Sequence, residues 1–236
     1  MKKVVNIIVM IINIFFVGSA FIFSLGLIPN ISLSASAMLL EFAISVIISS
    51  ITMIFQIKKT DNQAEKTKIR NYWLKTLFII YIILLFIILF LNSGYRIRAN
   101  VRGEMSISIE NIKQGFKETG NLIPFANIIK FFNRMANNTI NTSIVVVNLG
   151  VNLILFAPMG FFIPLLFGDK IKNIKQFVIL ILIITISVEI TQGITSRGST
   201  DIDDVILNTI GAVIIYLIMK TKLVKNLINK ILAKEE

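Results

Sequence analysis

The sequence predicts an all-α polytopic membrane protein. About six transmembrane helices are expected, with an external segment of about 50 residues and a C-terminal amphipathic helix. Three observations carry that prediction. Of 236 residues, 55% are hydrophobic and only 16% charged, against about 45–50% apolar and about 25% charged in soluble domains. The apolar residues gather into blocks of about 20, the length that crosses a bilayer as a helix. The connections between blocks are polar, and their lysines collect on alternate sides.

Lys2 and Lys3 precede an apolar run from Val4 to Ile28. It continues past the small residues Gly18, Ser19 and Ala20 to Leu25, so an uncleaved first span is expected rather than a removed leader. Pro29-Asn30 reads as a turn, and a second span follows over 31–57. The stretch 58–71 is polar. Span 3 covers 72–91, with Tyr72, Trp73 and Tyr95 placed as an aromatic belt would place them. The external segment precedes span 4 at 143–167, where Pro158 removes one backbone bond and crowds the carbonyl of Ile154. Span 5 covers 176–193. Span 6, over 205–219, is short and is extended by lysines that snorkel. This divides the chain into an N-terminal three-span region (1–92), the external segment (93–142), a three-span core (143–219) and an amphipathic tail (220–236).

Charge follows that topology. Sixteen of the 24 basic residues fall beside the termini and in the connections 58–71 and 168–175 or just within the adjoining spans. Positive residues favour the cytoplasmic side, so both termini are expected inside the cell membrane and the 92–142 segment outside. The net charge of +11 is therefore read as orientation, and nucleic acid is not an expected partner. Two amphipathic stretches flank the spans. Leu223, Val224, Leu227, Ile228, Ile231 and Leu232 recur at helical spacing among lysines, as in a helix on the inner leaflet. Phe125, Ile128, Ile129 and Phe132 form a second stripe, with Pro124 suited to its first turn. That helix lies either on the outer leaflet or against the bundle. Met105, Ile107 and Ile109 alternate with polar residues, as in a short strand.

The chain has no cysteine and no histidine. That excludes disulfides, thiolate nucleophiles, Ser-His-Asp triads and His- or Cys-ligated metals. No cofactor and no resident metal is expected; a working site must use carboxylates, amides, hydroxyls, Arg or Lys. Ionisable groups inside spans are expensive and mark functional candidates. Glu189 and Gln192 share a face near one end of span 5. Arg197, Asp201, Asp203 and Asp204 follow, with Asn208 one turn into span 6 and Gly211 permitting close helix approach. Asn148 and Asn152 stack at i, i+4 in span 4. All fall in the outer half of the bilayer, so packing of the three spans predicts one outward polar cavity, with Glu41 of span 2 as a further candidate. The plainer alternatives are that Asp203 or Asp204 caps span 6, that the asparagines join helices, and that Glu189 pairs with Arg197.

These residues resemble the VanZ-like family of small membrane proteins. The resemblance rests on three blocks in order: Asn121-Leu122-Ile123-Pro124-Phe125; Asn148 and Asn152 leading into Phe156-Ala157-Pro158-Met159-Gly160; and Glu189-Ile190-Thr191-Gln192, Arg197, then Asp201 to Gly211. It implies a polytopic protein of the bacterial envelope linked to reduced susceptibility to teicoplanin-type antibiotics, and it implies no settled reaction. On that basis the cavity is expected to bind an amphiphile at the outer leaflet, either a membrane lipid or lipid-linked envelope precursor or a lipid-tailed glycopeptide antibiotic. Arg197 would meet an anionic head group there. Two other readings stay open from the residues: an intramembrane enzyme in which Asp201, Asp203 and Asp204 hold a divalent cation, and a transporter in which Glu41 and Glu189 relay protons.

Overall fold

The computed structural model describes residues 2–24, 35–91, 120–195 and 200–232. Backbone hydrogen bonding among them is almost wholly helical. That is what hydrocarbon demands, because only bonds within a segment satisfy every N–H and C=O there. The helices are α1 (Lys2–Ser24), α2 (Ala35–Lys58), α3 (Gln63–Phe86, continued by a π turn over Ile87–Leu91) and α4 (Ala126–Ala136). After these come α5 (Thr142–Leu155), α6 (Ala157–Phe167), α7 (Ile174–Thr195), α8 (Ile202–Lys220) and α9 (Lys222–Leu232). Five described stretches are long and apolar enough to cross a membrane: Leu40–Lys58, Gln63–Leu91, Thr142–Phe167, Ile174–Thr195 and Ile202–Lys220. Helix α1 runs unbroken for 23 residues. The chain forms two compact units, one of residues 1–93 with 218–236 and one of 94–217.

The first unit buries polar side chains among apolar ones and turns large apolar side chains outward. On α2 the buried stripe includes Ser45, Ser49, Thr52 and Gln56, while Leu40, Ile44, Ile47, Ile51 and Phe55 are exposed. A soluble helix would reverse that arrangement; in lipid, small and polar residues join helices and the large apolar ones face acyl chains. Asn13 of α1 donates to Ser49 Oγ at 3.1 Å, and Gln56 donates to Asn6. Helix α3 begins well before the span expected at Tyr72, because the Asn62 side chain caps it by accepting from the N–H groups of Ala64 and Glu65. Trp73 is not a belt residue: it is fully buried and its indole N–H donates to Gln56 Oε1 at 3.4 Å. The amphipathic α9 forms as expected and packs on α2 and α3.

In the second unit the expected span 4 is two helices, α5 and α6, broken at Phe156 with Pro158 in the first turn of α6. Proline is tolerated there because that N–H has no helical partner. Two glycines let α8 approach this broken span. A Cβ on Gly211 would lie 1.7 Å from the Leu153 carbonyl oxygen, and one on Gly160 would lie 2.3 Å from that of Ala212. Phe177 of α7 stacks on Tyr216 of α8, with ring centroids 4.3 Å apart. Helix α7 buries Phe177, Ile181, Thr185, Glu189, Gln192 and Gly193 along one stripe and exposes Ile179, Ile183, Ile186 and Ile190.

Several expectations fall on residues outside those described: the Pro29-Asn30 turn, Tyr95, the alternating run at Met105 to Ile109, and Arg197.

Candidate functional site

The site is built where the chain enters α8. Asp201 is the N-cap of that helix: its Oδ1 accepts from the Asp203 N–H at 2.9 Å, and its carbonyl accepts from Asp204 and Val205. The capping role expected of Asp203 or Asp204 therefore belongs to Asp201, and α8 starts at Ile202 rather than Val205. Asn121 is clasped beside it. The Asn121 N–H donates to the Thr200 carbonyl at 2.8 Å, and its own carbonyl accepts from Ile202 at 2.9 Å, an isolated parallel bridge. The Asn121 side chain donates to Asp201 Oδ1 at 2.8 Å, and Asn127 Nδ2 donates to Asp201 Oδ2 at 2.7 Å.

With Asp201 in the cap position, Asp203 is free to serve another helix. Its carboxylate accepts from the backbone N–H of Phe125, of Asn127 at 2.8 Å and of Ile128 at 3.1 Å. These are orphan donors at the start of α4, which has no side-chain cap of its own. The chain reaches that geometry through Phe125, which is left-handed at φ 66°, a conformation costing a non-glycine residue about 1–2 kcal/mol. The helix thus begins at Ala126, after Pro124 rather than on it. Asp203 is 2% exposed, and its anionic charge suits the positive end of a helix dipole. No residue of α4 is buried. Leu122, Ile123, Phe125, Ile129 and Phe132 present an exposed apolar surface.

The remaining polar residues distribute around this clamp. Glu189 is buried on α7, and its Oε2 accepts from the Asp201 N–H at 2.8 Å. Thr200 Oγ1 donates to the Glu189 carbonyl at 3.3 Å. Gln192 is buried one turn further along the same stripe. Asn152 of α5 donates to Asp204 Oδ1. Asn208, one turn beyond Asp204, is buried. The structure therefore brings together Asn152, Glu189, Asp201, Asp203, Asp204 and Asn208 through bonds or shared faces of packed helices. Asn148 does not join them: it is exposed, as are Ile144, Val146 and Val147 around it, because the first turns of α5 stand clear of packing on most sides.

Asp201 and Asp203 share Asn121 and Asn127 as donors, whereas Asp204 turns to Asn152. Among the described residues no group of three acidic side chains is placed to hold a metal ion, so the divalent-cation cluster read from their spacing does not form. Asn127 and Thr200 are site residues that the sequence did not single out. Asn127 is one polar residue in an amphipathic stripe, and nothing in its local spacing announces a bond to a residue 74 positions away.

No curated protein and no solved structure matches the chain. A family model described as VanZ/LLP1 matches residues 78–225, more than half of the chain and a wider span than the three sequence blocks. It takes in α4, the clamp and all the buried carboxylates of this site, and the chain belongs to the VanZ/LLP1 family.

Proposed function

We propose that this protein binds an amphiphile at the outer leaflet of the bacterial cell membrane and thereby contributes to resistance to teicoplanin-type antibiotics. The ligand is a lipid-linked envelope precursor or the lipid-tailed glycopeptide itself. One observation carries the reading: Asp203 fixes the start of an exposed, apolar-faced helix directly beside a set of buried polar groups. An amphiphile needs such a pairing, with an apolar surface for its tail and convergent polar groups for its head. Glu189, Gln192, Asp204 and Asn208 take the head group. Asn152, Asp201 and Asp203 hold the elements in place, Arg197 meets an anionic part of the ligand, and α4 guides the tail.

The orientation that places this site outside, with both termini in the cytoplasm, rests on the lysine distribution. The division into regions 1–92, 93–142, 143–219 and 220–236 belongs to the same proposal, with ligand recognition assigned to the second and third. The test is teicoplanin susceptibility of cells expressing wild type, Glu189→Gln or Asp204→Asn at matched protein level. The variants are expected to lose protection. Unchanged protection in both would overturn the reading.

A further inference from the structure

We infer that the ligand carries a protonated amine, which the α5–α8 face receives through Asp204 and Asn208. This rests on the amphiphile reading and names the chemistry of the head group. The first observation is an acceptor with nothing to accept. Asn208 is 3% exposed, and its Oδ1 has no hydrogen-bond partner among the described residues. Its direction follows from its neighbours on the helix. Asp204, Asn208 and Gly211 stand at i, i+4 and i+7 on one face of α8. That face meets α5 at both ends, since Asn152 bonds Asp204 and Gly211 lies against the Leu153 carbonyl. Asn208 is held between those two contacts.

The second observation is an imbalance of donors and charge. Among the described residues, the groups that donate to the four carboxylates are all neutral: the side-chain amides of Asn121, Asn127 and Asn152, and backbone N–H groups. Most of those bonds go to Asp201 and Asp203. Among the described residues Asp204 receives one, from Asn152, and Glu189 one, from the Asp201 N–H, although a carboxylate offers about four acceptor positions. Glu189 lies within electrostatic reach of Asp201 and Asp204, and Asp204 within reach of Asp201 and Asp203. No lysine or arginine among the described residues pairs with any of them.

A buried cluster of carboxyl groups with unfilled acceptor positions is stabilised as carboxylates by a positive donor. A primary ammonium has three N–H donors and no acceptor, which matches Asp204 and Asn208 Oδ1. A quaternary ammonium has the charge without the donors, and a hydroxyl has a donor without the charge. Hard divalent cations take six or more oxygens, and no such cluster forms among the described residues.

The experiment is native mass spectrometry of the full chain in neutral detergent, offered phosphatidylethanolamine, phosphatidylcholine and phosphatidylglycerol with identical acyl chains. Phosphatidylethanolamine is expected to be retained about tenfold better than the other two, the worth of one charge-assisted hydrogen bond. Asp204→Asn and Asn208→Leu should erase the preference. If either variant misfolds, competition on wild type decides: millimolar ethanolamine should displace the lipid and choline should not. Displacement of no lipid but direct binding of ethanolamine would keep the amine and overturn the amphiphile. Equal retention of all three lipids, with no effect of ethanolamine, would overturn the amine and leave the amphiphile reading standing.

Discussion

Asp203, in the first turn of α8, accepts a 2.8 Å hydrogen bond from the backbone N–H of Asn127, at the start of α4. One helix is thus capped by a residue of another, 76 positions away. The cap fixes where the amphipathic helix begins relative to a spanning one, and that juxtaposition is what makes a combined polar and apolar surface available.

Removing the cap should release α4 without unfolding the spans. Asp203→Ala leaves three backbone donors without their acceptor, at about 1–3 kcal/mol for each that stays dry. Hydrogen exchange at Phe125, Asn127 and Ile128 should accelerate by at least about tenfold, while α7 amides keep their protection. Asp203→Asn, which retains an acceptor oxygen, should fall between.

Glycine 211 and glycine 150 form an internal control. A Cβ at Gly211 collides with the Leu153 carbonyl, whereas one at Gly150 has nothing within 4 Å. Gly211→Ala should separate α8 from α5 and lower the melting temperature, at about 1–3 kcal/mol or more. Gly150→Ala should be neutral or stabilising by up to about 1 kcal/mol. Thermal denaturation of the two variants side by side checks both signs.

The Asn152–Asp204 bond can be measured by a double-mutant cycle. Asn152→Leu removes the donor that the half-buried Asp204 carboxylate has among the described residues and should cost about 1.5–3 kcal/mol. Asn152→Leu with Asp204→Leu should cost less than the single change, because no unpaired charge remains. Additive effects would mean that the two side chains do not interact.

The single tryptophan reports on the first unit. Trp73 is buried and donates to Gln56, so Gln56→Leu strips its acceptor and should shift its fluorescence emission to the blue. Gln63→Leu, at the start of α3, should leave the emission unchanged.

The spans were legible because apolar runs of about 20 residues have few alternatives. The buried carboxylates were legible because an ionisable residue in such a run stands out. The burial of Trp73 is not legible in sequence, because an aromatic at a span end suits either a belt or a buried hydrogen bond, and the acceptor, Gln56, lies on another helix. Asn148 and Asn152 share a face by spacing, yet among the described residues Asn152 bonds a neighbouring helix while Asn148 is exposed, since spacing places residues on a face without saying how far the next helix extends. The Asp203 clamp was invisible for a related reason: periodicity reports what a helix does with its own residues, and this cap comes from a distant one.

In the proposed function the polar groups beside the clamped helix hold the head of an amphiphile. The most direct measurement is the lipid and antibiotic content that co-purifies with wild type and with Glu189→Gln, extracted from equal amounts of folded protein. A defined amphiphile enriched with wild type and reduced at least about tenfold in the variant is the predicted result. The same amphiphile recovered equally from both would contradict it.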